Sequence, residues 1–336
     1  MMSATIDTWP RSRIAGTGSY LPERVVTNQD LAQWVDTSDE WIQKRVGIRE
    51  RRYAAEGQAS SDMAAEAARN AVEAAGLTVA DIDMIVVGTI TGDMPLPACA
   101  AFVQQKLGCR DIPSFDVSAA CAGFLFAVTV GDSFIRTGAA RHVLAIGVEA
   151  LTKITNFKDR NTCVLFGDGA GAVVLSRTDN ADQGLLLSTN VFTDATMTDI
   201  LNIPAGGSRE PLTHEALDAQ RNKVYMNGKE VFRIAVRKLT SSSQSVIQQA
   251  GLTPEQVDWV VPHQANLRIL NQVAARLGIP YERFVLNIDV RGNTSSASVP
   301  IALNEAVLDG RIKPGHIVLM CALGAGISWG SALVKM

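Results

Sequence analysis

Ala75-Gly76-Leu77-Thr78 is followed after four residues by Asp83 and then by the apolar pair Val86-Val87. Ala250-Gly251-Leu252-Thr253 is followed, again after four residues, by Asp258 and then by Val260-Val261, at an offset of 175 (250 − 75). Leu107-Gly108 recurs as Leu277-Gly278 at an offset of 170, Asp116-Val117 as Asp289-Val290 at 173, and His142-Val143 as His316-Ile317 at 174. Phrases of the form helix, turn, strand recur in any α/β chain. Landmarks that keep one order at nearly one spacing mark a duplicated α/β unit. The expected halves are residues 1–180 and 181–336.

Around these landmarks, apolar β-branched runs alternate with helix-like stretches, the pattern of an α/β chain. Strands are expected at Arg13–Ser19, Met84–Thr89, Ser114–Val117, His142–Gly147, Ala170–Leu175, Gly184–Thr189, Trp259–Pro262, Arg283–Leu286, His316–Cys321 and Gly330–Val334. Helices are expected at Ser60–Ala75, Ala98–Leu107, Cys121–Thr137, Gly228–Ala250, Ala265–Leu277 and Ser298–Leu308.

Composition narrows the function classes. Hydrophobic residues at 47% supply a core, and a net charge of −3 argues against a dominant nucleic-acid role. The five cysteines form no CxxC pair, which suits a reducing compartment. The N-terminal MMSATIDTWPRSR has no apolar core of a signal peptide, and the apolar stretch Cys121–Val130 is far shorter than a membrane span. A soluble, cytoplasmic protein is expected. No His, Cys or carboxylate cluster has metal-ligand spacing. Gly16-Thr17-Gly18 lacks the third glycine and acidic follower of a dinucleotide fingerprint.

Three residues carry candidate chemistry. Cys121 opens an all-apolar helix after the small residues Ser118-Ala119-Ala120. The unpaired N–H groups and positive dipole end of a helix start favour an anion, so a lowered thiol pKa is expected there. The other four cysteines read as packing. His263 follows the buried run Val260-Val261-Pro262, at the strand end where α/β sheets bind ligands. Asn293 stands in the turn Gly292-Asn293-Thr294-Ser295-Ser296, where its amide could donate to an oxyanion while Ser298 caps the next helix. The repeat puts Cys121 and Asn293 at equivalent strand-to-helix turns. The order Cys, His, Asn also occurs in cysteine proteases, whose local sequence around the cysteine differs.

Nine segments together resemble one family: GTGSYLPE (16–23), TSDEWI (37–42), RVGIRER (45–51), AACAGF (119–124), FGDGAGA (166–172), VPHQANLRI (261–269), RGNTSSASVP (291–300), DGRIKPG (309–315) and WGSALV (329–334). From Ile14 to the C-terminus the chain resembles the β-ketoacyl-acyl-carrier-protein synthase III family, which initiates bacterial type II fatty acid synthesis. The resemblance implies a thiolase-like fold of two βαβαβαββ halves about a pseudo-twofold axis, a homodimer, and no cofactor, with acyl-CoA and malonyl-acyl carrier protein as substrates. It implies that Cys121 takes the acyl group, that the N–H groups of Cys121 and Ala325 form an oxyanion hole, and that His263 and Asn293 act in decarboxylation. Trp41, Arg45, Arg160 and Asn266 fall at CoA-binding positions. Gln264, Ala265, Asn266, Leu267, Arg268, Arg233 and Arg276 are the expected carrier-protein contacts, with Arg237 four residues from Arg233 on one helix face. Leu96 and Phe166 fall at the acyl pocket.

Some positions depart from the family pattern. Arg291 stands where His is frequent, Leu323 and Ala325 replace a Phe and a Gly, and Leu96 replaces an aromatic residue. These bear on substrate choice more than on reaction type. The nearest alternative is a ketosynthase or acyltransferase of specialised metabolism using another acyl-CoA.

Overall fold

The structure is a computed structural model and describes residues 10–336. Most of the N-terminal segment read for a signal peptide lies outside the described residues. The first half runs β1 (Arg11–Tyr20), α1 (Ser60–Ala74), β2 (Met84–Gly88), α2 (Cys99–Leu107), β3 (Ser114–Val117), α3 (Gly123–Arg136), β4 (His142–Glu149) and β5 (Gly169–Thr178). The second runs β6 (Leu185–Thr193), α4 (Gly228–Gln249), β7 (Trp259–Pro262), α5 (Leu267–Leu277), α6 (Ser298–Leu308), β8 (Ile317–Gly324) and β9 (Ser328–Lys335).

The two sheets repeat one topology. The first has the order β1-β5-β4-β2-β3, and the second β6-β9-β8-β7. In each, the pairs at one end (β1-β5-β4 and β6-β9-β8) are antiparallel and those at the other (β4-β2-β3 and β8-β7) are parallel. All five residues of β2 are buried, as expected of a parallel strand covered on both faces. One core unites the inner faces of both sheets (Val86, Val173, Met320, Ala332) with α3 and α6 between them (Phe124, Val128, Val299, Leu303). A second packs α1 and α2 outside the first sheet, and a third packs α4 and α5 outside the second. The result is the five-layered thiolase-like arrangement, with the first turns of α3 and α6 meeting at its centre.

Gly16 and Gly18 have a packing role in this frame. A Cβ on either would lie 2.4 or 2.3 Å from the α1 backbone at Ala71 or Ala67, so β1 can press onto this alanine-rich helix only without side chains there.

Two expectations need correction. Arg283–Leu286 is not a strand: Tyr281–Arg283 is a 3-10 turn, and only Phe284 bridges to Val260. The cause is Gln264, whose buried side chain occupies Val285 O (3.0 Å) and Asn287 N–H (3.2 Å), replacing ladder bonds. The match of Asp116-Val117 with Asp289-Val290 also joins unlike elements. Asp116 lies in β3, whereas Asp289 lies in the short helix Ile288–Arg291. The hairpin Arg24–Thr27/Glu50–Tyr53, with helix Asp39–Val46 between its strands, was not anticipated. Among the described residues no helix is long and apolar enough to cross a membrane.

Candidate active site

Cys121 lies on a 3-10 turn, Ala120–Ala122, immediately before α3; the continuous helix expected from Cys121 starts two residues later. Its counterpart is the turn Ser295–Ala297 before α6. Ala120 (φ 46°) and Ser295 (φ 50°) both occupy the left-handed region, 175 residues apart (295 − 120). Such backbone costs about 1–3 kcal/mol per residue and persists only where its surroundings enforce it. The structural partner of Cys121 is therefore Ser296, and Asn293 sits three residues earlier. The end of β8 closes against the first turn: a Cβ on Gly324 would lie 2.4 Å from the Cys121 N atom.

Cys121, His263 and Asn293 share one cavity of about 870 Å³, which Trp41, Arg45, Phe166, Ala265, Asn266, Arg268, Leu323 and Ala325 also line. Two bonds to the preceding segment hold Asn293: its N–H donates to Leu165 O (2.8 Å), and its carbonyl accepts from Gly167 N–H (2.9 Å). The side-chain Oδ1 accepts from Ser295 N–H at 2.8 Å, which identifies the oxygen and leaves the NH₂ group to serve the cavity.

His263 follows β7, its N–H donating to Cys321 O at 2.7 Å. Nδ1 lies 2.6 Å from Ser298 Oγ, and that hydroxyl also reaches Ser295 O at 2.8 Å. Burial lowers the imidazole pKa to about 4, so the ring is neutral near pH 7. The expected cap at Ser298 is absent, because its hydroxyl is turned to the histidine and to the preceding turn.

The expected lowered thiol pKa is also corrected. Burial pushes Cys121 up to about 12, Ser295 opposes the rise, and the carboxyl of Glu149 adds to it. The helix start does not outweigh desolvation, and the resting group is a neutral thiol.

The remaining expected residues separate into distinct positions. Arg160 lies over Trp41 at 4.5 Å from the ring centroid and pairs with Asp36 at 3.5 Å, while Arg45 lies over the same ring at 5.7 Å. Asn266 caps α5 through Arg268 N–H (2.9 Å). Arg268, Arg233, Arg237 and Arg276 are exposed, with Arg233 paired to Glu230 at 2.8 Å. Gln264 is fully buried and its amide is bound to backbone groups, so it cannot meet a carrier protein. Leu267 is half-buried and packs against the position of Gly47. Phe166 lines the cavity, but Leu96 does not: it is 83% exposed on its loop. Glu149, Ser295 and Ser298 were missed. Only Ser298 carried a sequence signal, and that signal pointed to a cap.

Two α/β halves closing on a cysteine, a histidine and an asparagine define a thiolase-fold acyl-transferring enzyme. Residues 115–195 match the family described as 3-oxoacyl-[acyl-carrier-protein (ACP)] synthase III, and residues 247–336 match its C-terminal counterpart. The chain belongs to this β-ketoacyl-[acyl-carrier-protein] synthase III family. A relative of that name from Caldanaerobacter subterraneus subsp. tengcongensis is 48% identical over 322 residues, covering 96% of this chain and 97% of its own. The crystal structure of 3-oxoacyl-[acyl-carrier-protein] synthase III from Aquifex aeolicus is 42% identical, covers 97% of this chain and 100% of its own, and superposes with a TM-score of 0.89. The priming β-ketosynthase of the R1128 polyketide pathway is 36% identical, with coverage of 97% and 96% and a TM-score of 0.89.

Proposed function

We propose that the chain joins an acyl-CoA primer to malonyl-acyl carrier protein, releasing CO₂ and CoA and giving the 3-oxoacyl-acyl carrier protein that begins fatty acid biosynthesis. The observation that carries this reading is the meeting of Cys121, His263 and Asn293 on one largely apolar cavity. In the first half-reaction the Cys121 sulfur attacks the thioester carbonyl, and the N–H groups of Cys121 and Ala325 receive the oxyanion. In the second, malonyl loses CO₂ while His263 Nε2–H and the Asn293 NH₂ stabilise the enolate oxygen, which favours charge developing only in the transition state. The carbanion then takes the acyl group from Cys121. No cofactor enters this reaction.

Trp41, Arg45, Arg160 and Asn266 would receive CoA at the cavity mouth. Arg268, with Arg233, Arg237 and Arg276, offers positive charge to an acidic carrier protein. The halves would divide near residue 180, one bringing the cysteine and the other the histidine and asparagine. A homodimer would cover the apolar loop containing Met94 and Leu96. The free cysteines suit the cytoplasm.

The test separates the half-reactions. Cys121→Ala should abolish acylation by every acyl-CoA in a panel read by mass spectrometry. His263→Ala and Asn293→Ala should still be acylated while condensation falls by roughly 10²-fold or more. A folded Asn293→Ala enzyme that cannot be acylated would overturn this division. A second reading, a priming ketosynthase of specialised metabolism, draws on the likeness to the R1128 enzyme. Comparing acyl acceptors other than malonyl-acyl carrier protein distinguishes the two.

A further inference from the structure

The neutral Cys121 thiol must lose its proton as it attacks, and the loading reaction proposed above assigns that proton no destination. Ser295 Oγ stands 3.3 Å from Cys121 Sγ and 3.3 Å from Glu149 Oε1, linking thiol and carboxyl through one hydroxyl. Ser295 is fixed there: its N–H is held by Asn293 Oδ1 (2.8 Å), and its backbone lies in the left-handed region.

Glu149 ends β4 and is fully buried. Its surroundings are built to supply donors. Thr91 Oγ1 accepts from Ala150 N–H (2.8 Å), so its own proton points to Glu149 Oε2 at 2.5 Å. Thr89 Oγ1 accepts from Thr91 N–H (3.1 Å) and likewise donates to Oε2 at 3.3 Å. Ile90 N–H lies 3.3 Å from both oxygens. A carboxylate is the form that accepts from all of these groups and from Ser295.

We propose that Glu149 is the proton acceptor for acyl loading and takes the Cys121 proton through Ser295. As the C–S bond to the acyl carbonyl forms, the Cys121 proton passes to Ser295 Oγ and the Ser295 proton passes to Glu149. As the C–S bond to CoA breaks, Glu149 returns the proton to Ser295 Oγ, and Ser295, which lines the same cavity, hands it to the departing CoA sulfur. Atoms and charge balance, and nothing is oxidised or reduced.

Opposed effects tune Glu149 for this work. Burial raises its pKa to about 8, while Thr91, Ile90 N–H, Ser295 and Thr89 pull it down. Among the described residues, Cys121 is the ionisable side chain facing it across Ser295, and Thr89, Thr91 and Ser295 are its polar neighbours from the adjoining elements. A base with a pKa near the working pH combines availability with driving force.

The experiment uses Glu149→Gln and Ser295→Ala in the full chain. It measures acylation by acyl-CoA, alkylation of Cys121 by iodoacetamide against pH, and decarboxylation of malonyl-acyl carrier protein. Wild-type alkylation should rise with an inflection near about 8, the pKa of Glu149. In both variants the inflection should vanish or move upward, and loading should fall by about 10²-fold, with decarboxylation retained. Unchanged loading and an unchanged pH profile would overturn the relay, as would equal loss of loading and decarboxylation, which marks a structural role. Failure of the wild type to be acylated by any acyl-CoA would instead overturn the function, because alkylation reads the relay without CoA.

Discussion

Ser298 has one proton and two acceptors in reach, His263 Nδ1 at 2.6 Å and Ser295 O at 2.8 Å. When that proton turns to Nδ1 the neutral ring carries its hydrogen on Nε2, where the proposed enolate would need a donor. Ser298→Ala should therefore slow condensation by about tenfold, the effect of one lost hydrogen bond of about 1.4 kcal/mol, and leave loading nearly intact. Ser298→Thr should restore it, and equal loss in both half-reactions would contradict the role. The lowered pKa has a stability consequence too. Folded His263 titrates near about 4 and an unfolded histidine near 6.5. Its contribution is fully present above 6.5 and is lost as pH falls towards 4, because the unfolded chain binds the proton first. His263→Asn should flatten this part of the urea-denaturation pH profile. At this scale His263 and Asn293 were readable because their residue types are scarce or exposed by context. Glu149 and Ser295 were not, since their role arises from side chains 146 positions apart meeting at 3.3 Å.

The elements were read from periodicity with more success than the turns between them. The apolar runs at Ser114–Val117 and Trp259–Pro262 form strands with those bounds, and Ser298–Leu308 forms a helix with those bounds. Arg283–Leu286 misled because its pattern is that of a strand while Val285 O and the following Asn287 N–H are taken by the Gln264 side chain, which periodicity cannot reveal. Glycines separate two kinds of close approach. Gly324→Ala would drive a Cβ to 2.4 Å from Cys121 N and 2.9 Å from Ala120 Cβ, displacing the turn that carries the proposed nucleophile and its N–H from the proposed second oxyanion donor, Ala325 N–H. Gly16→Ala would meet Ala71 O at 2.4 Å on α1. Each should lower stability by about 1–3 kcal/mol in urea titration. Only Gly324→Ala should also cut the acylation rate of the folded enzyme, by about 10²-fold. Equal acylation by the two variants would show that the β8 end does not set the nucleophile's geometry.

For the whole molecule the repeat was the decisive signal, because two copies of one topology must pack their equivalent central helices together. The residues controlling the primer are less accessible to such reasoning, since Leu96 does not line the cavity of its own chain. It is 83% exposed beside Met94, which is 50% exposed, so it can shape an acyl site only where another copy receives it. Leucine is smaller than the aromatic residue of the family pattern and would leave a deeper floor. An additional methylene in an apolar pocket contributes about 0.8 kcal/mol or somewhat more. The wild type should therefore accept butyryl-, isobutyryl- and octanoyl-CoA as well as acetyl-CoA, and Leu96→Phe should lower kcat/KM for the longer primers by about tenfold or more while sparing acetyl. In the proposed homodimer, mixed dimers locate the effect. When Leu96→Phe is carried by a chain that also bears Cys121→Ala, the working cysteine of the wild-type chain faces the substituted loop and should show the altered preference. Strong acetyl preference in the wild type, unchanged by Leu96→Phe, would mean that residues such as Phe166 within the same chain close the pocket.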